Sequence, residues 1–464
     1  MELMSTETVV RGRMTAPAAH RLAQLAPRPV NIDATGLAPE LLADLVLKHL
    51  LQSGPLTSAA LADRLALPGP VVEHILQFLR QEGRLHLQTN GSFDSGPRLA
   101  LTERGRQHAA DALQRCGYIG PAPVPLDAYV RVVRAQAAPR QGLTRESTRQ
   151  SFRNIIMAED LCDRFGVAMG SGRAIFIYGT AGSGKTYIAS RLIGAMPGEV
   201  LVPHALAVNN KIIRVFDSAM HELVEQLEGN RRVLLAQGFD ARFVLCARPL
   251  IIVGGDLSMD MLDIQFNAAT REYNAPLQVK ANNGVLVIDD LGRQRFLPQR
   301  LFDRWIVPLE HHIDYLTVGA DARFKTPCNA IIVFSTNLEP GELTDDAVLR
   351  RLAYKIKLGP LPVDLYMRVW IAVCDEMKVT FDKDLLNYAL AELYPASGCP
   401  LLACHPRDLI GMALDKASYD QRGGRFTAED LRWAWEIYFL PKTDELDPGE
   451  AVPVTTGSFR TWTT

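Results

Sequence analysis

AIFIYGTAGSGKT, Ala174 to Thr186, decides how the rest of the chain is read. An apolar run stops at Gly179, and Gly179, Thr180, Ala181, Gly182, Ser183, Gly184, Lys185 and Thr186 then fit the spacing G-x-x-x-x-G-K-[ST]. The pattern falls where physics needs it, after a strand and before a helix. Glycines let backbone amides turn inward around phosphate oxygens, and the N-terminus of the new helix adds the positive end of its dipole. Lys185 is placed to neutralise the β- and γ-phosphates, and the Thr186 hydroxyl to ligate Mg2+.

A second stretch, VLVIDDLGRQRF (Val285–Phe296), follows about a hundred residues later. It is expected to be the second buried strand, ending in two carboxylates. Asp289 is the metal-associated one. Asp290 beside it is placed to orient or activate the water that attacks a γ-phosphate. An aspartate there holds the charge one methylene further back than a glutamate does. NAIIVFSTNLEP (329–340) reads as a third apolar strand ending in a polar group, Asn337.

Composition sets the outer bounds. At 464 residues the chain is too long for one ordinary core. Apolar residues make up 47% and charged ones 22%, as in globular rather than disordered chains. Lys and Arg number 50 against 52 Asp and Glu, so composition gives no argument for nucleic acid. Seven scattered cysteines fit a reducing compartment better than a disulfide framework. Cys399, Cys404 and His405 lack the partner pair of a metal site and read as structural. No run reaches the length of a membrane span and the first thirty residues hold no apolar signal core, so a cytoplasmic protein without membrane attachment is expected.

Along the chain, 1–37 reads as a flexible arm. Residues 38–116 give three helices, with Thr57 or Ser58 capping the second, then two short strands around a turn at Asn90–Ser92, then a helix capped by Thr102. That order resembles a winged helix-turn-helix domain. Residues 117–143 open with the Pro/Gly-rich GYIGPAPVPL and read as a linker. Its basic continuation, Arg131 to Arg153, reads as a solvated face or as a segment near the nucleotide. Strands then alternate with helices over 144–358, the signature of a parallel α/β sheet. An insertion at about 197–275 is expected there, with a hairpin around Asn209–Asn210. Residues 359–440 are helical, and 441–464 are a polar tail.

Taken together, the phosphate loop, Asp289–Asp290, Asn337 at a strand end, the pair Arg350–Arg351 and the Pro-Arg of HPRDLI resemble the AAA+ ATPases over roughly 140–440. The resemblance implies an α/β P-loop sheet with a helical lid, and ATP with Mg2+ as cofactors. Asn337 would be the sensor that positions the water, and Arg407 the lid arginine that senses the γ-phosphate. Arg350 or Arg351 would be a finger completing a neighbour's site. A homo-oligomeric ring follows, commonly a hexamer in that family. QVKANNGVLVIDD is similar to MoxR-like, chelatase-like and enhancer-binding members, while VIDDLG is similar to replication initiators and helicase loaders.

Three functions stay open at this point. The first is chaperone-like remodelling or assembly of a protein client. The second is DNA-associated regulation or loading through the winged helix, and the third a slow nucleotide-gated scaffold. Within 38–116, eight Lys and Arg face eight Asp and Glu, and the third helix offers Glu73 and Glu82 against Arg80. Groove binding leans on phosphate neutralisation, so a protein-docking role is the better reading.

Overall fold

The computed structural model describes residues 16–88, 97–137, 143–224, 239–319 and 322–439. The chain forms two compact units, Met1–Gly359 and Pro360–Thr464.

The first unit is organised around a five-stranded parallel sheet. In chain order its strands are β1 (Ile175–Gly179), β2 (Leu250–Val253), β3 (Val285–Ile288), β4 (Ile331–Thr336) and β5 (Tyr354–Leu358), and in space they run β5-β1-β4-β3-β2. Both faces of the sheet are covered, which is why its central strands are near-continuous apolar runs. Successive residues point to opposite faces. Phe176, Leu286, Ile288, Ile332 and Phe334 pack on one side with Phe302 and Trp305 of the helix Pro298–His311. Ile175, Ile177, Val285, Val287, Ile331 and Val333 pack on the other with Phe165, Met169, Ile188 and Leu192. Fully burying each such side chain contributes about 1.5–3 kcal/mol.

This sheet corrects two expectations. VLVI is the third strand in chain order, not the second, because Leu250–Val253 comes first. That strand lies inside the span 197–275 assigned to an insertion. Extra chain therefore enters in two pieces, one on each side of a core strand.

The inserted chain supplies four strands of a second five-stranded sheet and Val124–Pro125 the fifth, in the order Gln265–Asn267, Glu272–Asn274, Lys211–Arg214, Ala205–Val208, Val124–Pro125. The expected hairpin is present: Ala205–Val208 and Lys211–Arg214 pair antiparallel across Asn209 and Asn210. Both turn residues have positive φ (47° and 60°), the left-handed geometry that a two-residue hairpin loop needs.

The N-terminal elements are Pro39–Ser53, Ser58–Leu65, Gly69–Gln81, a ribbon of Leu85–Gln88 with Arg98–Leu101, and Glu103–Arg115. Thr57 and Thr102 cap their helices by accepting from Ala60 N and Gly105 N. The turn expected at Asn90–Ser92 lies outside the described residues, as does the expected tail.

Two boundaries move. Segment 117–137 is not a linker: Tyr118, Ala122 and Val124 are buried, Val124–Pro125 is a strand, and the helix Leu126–Ala135 buries Tyr129, Val132 and Val133. From residue 16 the expected arm is helical over Ala16–Leu25 and Ile32–Thr35, with Leu22 and Ala26 packed against Val124 and Val132. The core of 38–116 is shared with Ala205 and Ile212 of the second sheet. Lys48, only 2% exposed, donates to the carbonyls of Cys116 (3.1 Å) and Tyr118 (2.8 Å). Arg242 is ion-paired with Asp240 at 2.8 Å and donates to Thr35 O and Pro123 O. In the basic segment, Arg131, Arg145 and Arg149 pair with Asp127, Asp163 and Glu159.

The second unit is helical: Val363–Glu376, Lys383–Tyr388, His405–Tyr419 and Ala428–Tyr438 pack around Tyr366, Trp370, Leu409, Leu431 and Trp435. Among the described residues no helix is long and apolar enough to cross a membrane.

Candidate functional site

Three of the parallel strands deliver polar groups to one edge of the sheet, their carboxyl ends. β1 ends at Gly179, β3 is followed by Asp289 and Asp290, and β4 by Asn337. In open α/β sheets this is the edge where ligands bind.

The loop after β1 turns on glycines. Gly179, Gly182 and Gly184 have φ of 136°, 79° and 88°. At Gly179 a Cβ would stand 1.9 Å from the backbone oxygen of Leu358 on β5, so no side chain fits there. The helix Lys185–Arg191 starts directly after Gly184, pointing its first amides into the loop. Lys185 is 6% exposed and donates to the carbonyls of Gly179 (3.0 Å) and Thr180 (2.7 Å). Burial pushes its ammonium below the ordinary value, and the charges of Asp290 and Asp289 pull it back up. The Ser183 hydroxyl is buried without a partner.

Thr186 Oγ1 donates to Asp289 Oδ2 at 2.7 Å, and Asp289 Oδ1 is buried with no hydrogen-bond partner. A hydroxyl oxygen next to a carboxylate with one orphaned oxygen is the donor set a hard divalent cation takes. The residues present therefore fit Mg2+. Asp290 is 44% exposed in its side chain and has φ of 48°. Asn337 Nδ2 lies 3.5 Å from Asp290 Oδ1, the long end of a hydrogen bond, and Arg293 Nη1 lies 3.9 Å from Asp290 Oδ2. The structure thus brings together Gly179 to Thr186, Asp289, Asp290 and Asn337. The first unit is an α/β fold whose five-stranded parallel sheet carries the G-x-x-x-x-G-K-T loop directly after its first strand.

Elsewhere in the first unit, Arg350 and Arg351 end the helix Asp346–Arg351. Arg350 is exposed, whereas Arg351 is half-buried and bonded to Glu310. Arg407 is in the second unit, in the first turn of His405–Tyr419, and is paired with Glu376. His405 is buried with Nδ1 2.9 Å from the Tyr394 hydroxyl, and Cys404 Sγ is 3.7 Å from that of Tyr438. Sequence reasoning passed over Gln294, which is buried beneath the two aspartates. It also passed over the ion pair of Glu339 with Lys357, 2.6 Å long and two residues past Asn337. Neither has a spacing that distinguishes it from surface polarity.

Comparison with known proteins gives the following. A family described as a domain of unknown function (DUF8689) matches residues 362–437, within the helical unit. No curated protein sequence matches the chain. Among solved structures, the chain is similar to NtrX from Brucella abortus in complex with ADP, at 13% identity and a TM-score of 0.36. That match covers 70% of this chain and 64% of NtrX, so the chain spans less than two thirds of that relative. It is also similar to a RuvB mutant from Thermotoga maritima (13%, TM-score 0.37, 62% of this chain and 72% of RuvB). Domain III of the Thermotoga maritima replication initiation protein DnaA matches at 13% and a TM-score of 0.34, covering 63% of this chain and 97% of that domain.

Proposed function

We propose that the protein is an ATPase that binds and hydrolyses Mg-ATP in a homo-oligomer to remodel or assemble a protein complex. The observation that carries this is the pairing of Thr186 with Asp289, whose second oxygen is buried and unpartnered.

The loop amides from Thr180 to Gly184, with Lys185, would hold the phosphates. Lys185 has the carbonyls of Gly179 and Thr180 to give up for them. Thr186 and Asp289 would hold Mg2+, which supplies positive charge to the phosphate oxygens. Asp290 accepts the proton of the attacking water or orients it, and Asn337, within 3.5 Å of Asp290, fixes that water from the other side. Arg350 is the better finger, because Arg351 is already engaged by Glu310. In this reading Arg350 of one copy completes the site of the next, and Arg407 leaves Glu376 to sense the γ-phosphate.

A protein client is favoured over DNA by the exposed face of Gly69–Gln81, the third helix of the winged-helix reading. That face presents Phe78 (41% exposed) with Glu73, and Leu87 (45%) follows on the ribbon. A face that mixes exposed apolar groups with Glu73 and has no basic excess suits docking to protein better than to phosphates.

Steady-state ATP hydrolysis against protein concentration, with and without duplex DNA and with Lys185→Ala as blank, tests the proposal. A rate that climbs with concentration and ignores DNA supports an assembling ATPase with a protein load. A rate that appears only with DNA would transfer the role to a DNA-associated loader or regulator. No turnover above the blank would end the ATPase reading.

A further inference from the structure

Asp290 has a left-handed backbone, which costs a non-glycine residue about 1 kcal/mol or more and must be imposed by its surroundings. Gln294, 8% exposed, is the side chain that meets this loop from below. Its Nε2 donates to the backbone oxygens of Gly254 (3.1 Å) and Asp289 (3.1 Å) and approaches that of Asp290 (3.4 Å). Its Oε1 accepts from Gly292 N at 2.9 Å. One amide therefore bonds the Asp289 peptide, reaches that of Asp290 beside its shorter bond from Arg293 N, holds the turn at Gly292, and ties all three to the end of β2. The remaining support is backbone and Thr336: Asp289 N donates to Val253 O (2.7 Å), Arg293 N to Asp290 O (3.0 Å), Leu291 N to Ser335 O, and Thr336 Oγ1 to Leu291 O.

We infer that Gln294 is the positioning residue that sets the direction of the Asp289 and Asp290 carboxylates. It touches neither nucleotide nor water itself. The inference rests on the ATPase reading for its kinetic consequence, but not for its structural one. Only an uncharged side chain that both donates and accepts does this, so Gln294→Met removes every bond at nearly constant volume. Gln294→Glu keeps the acceptor and turns the donor into a second acceptor facing carbonyls.

The test measures kcat and KM for ATP, and Mn2+ binding in the presence of ADP by electron paramagnetic resonance, on full-length wild type, Q294M and Q294E. The expected result is a kcat at least about tenfold lower in both variants with KM within about threefold, the pattern of a group that acts on the transition state alone. Mn2+ affinity is expected to fall several-fold. Should Q294M fail to fold, Q294E decides the matter. Variants within twofold of wild type in kcat and Mn2+ affinity would overturn the inference. A wild type that binds Mn2+ but does not turn over would overturn the ATPase reading instead, and the Mn2+ comparison would then decide the role of Gln294.

Discussion

Thr186 and Asp289 are 103 residues apart in the chain, and the hydroxyl of one donates to the carboxylate of the other over 2.7 Å. The hydrogen bond is made by folding alone: β1 and β3 flank β4 in register, so the loop after the first strand reaches the residue after the third. A hydroxyl already beside a half-satisfied carboxylate needs little rearrangement to take a cation.

Thr186→Ala removes one proposed cation ligand and leaves Asp289 without its Thr186 partner. We expect ATP turnover to fall by about 100-fold or more, as for loss of a group that stabilises charge in the transition state. Thr186→Ser keeps the oxygen and should stay within about tenfold of wild type. Equal activity in the alanine and serine variants, across a Mg2+ titration, would remove Thr186 from the site.

Gly179→Ala forces a Cβ into the Leu358 carbonyl, at a residue with φ of 136°. The neighbour is backbone on an adjacent strand and cannot step aside. A loss of more than about 4 kcal/mol is expected, the range of severe single substitutions. Thermal melting followed by circular dichroism reads it, and a melting point within a degree or two of wild type would contradict the geometry.

Arg350→Ala and Lys185→Ala are each expected to be inactive alone, since one lacks the group it lends and the other the group that binds phosphate. Mixed, they should regain part of the wild-type rate, because some interfaces pair an intact loop with an intact arginine. The check is a titration of one variant into the other at fixed total protein. A rate that stays at the sum of the two blanks would place Arg350 outside any neighbouring site.

His204 lies between the strands Glu199–Pro203 and Ala205–Val208, edge-on to Phe216. Burial, and then the charge of Arg214, lower its pKa to about 4 from the ordinary 6.5. The folded state keeps it neutral while the unfolded chain takes up a proton first, so the contribution of His204 to stability is level well above pH 6.5 and falls as pH drops towards 4. His204→Gln has no proton to gain, and its melting point should decline less over that window. Parallel slopes for the two proteins between pH 7 and 4.5 would show that another group sets the acid sensitivity.

What could be read from the sequence follows the range of each signal. The phosphate loop, Asp289, Asp290 and Asn337 are announced by short patterns, an apolar run and then a polar residue, and their placement at one sheet edge follows from parallel strands. Leu250–Val253 was absorbed into an insertion because four apolar residues among other short strands carry no mark of which sheet they join. GYIGPAPVPL looked like a linker because proline and glycine report local geometry only. The burial of Tyr118, Ala122 and Val124 depends on partners more than eighty residues away, such as Ala205, Ile212 and Leu206. Gln294 was invisible for the same reason: its meaning lies in a carbonyl at Gly254, forty residues upstream.

The guanidinium of Arg242, 3% exposed, serves carbonyls at positions 35 and 123 as well as its own Asp240. The front third of the gene is therefore not a cassette. Cut away, it would leave Ala205 and Ile212 facing water and a buried cation stripped of two acceptors. Grafted elsewhere, it would arrive without the apolar floor that Ala205 and Ile212 give it.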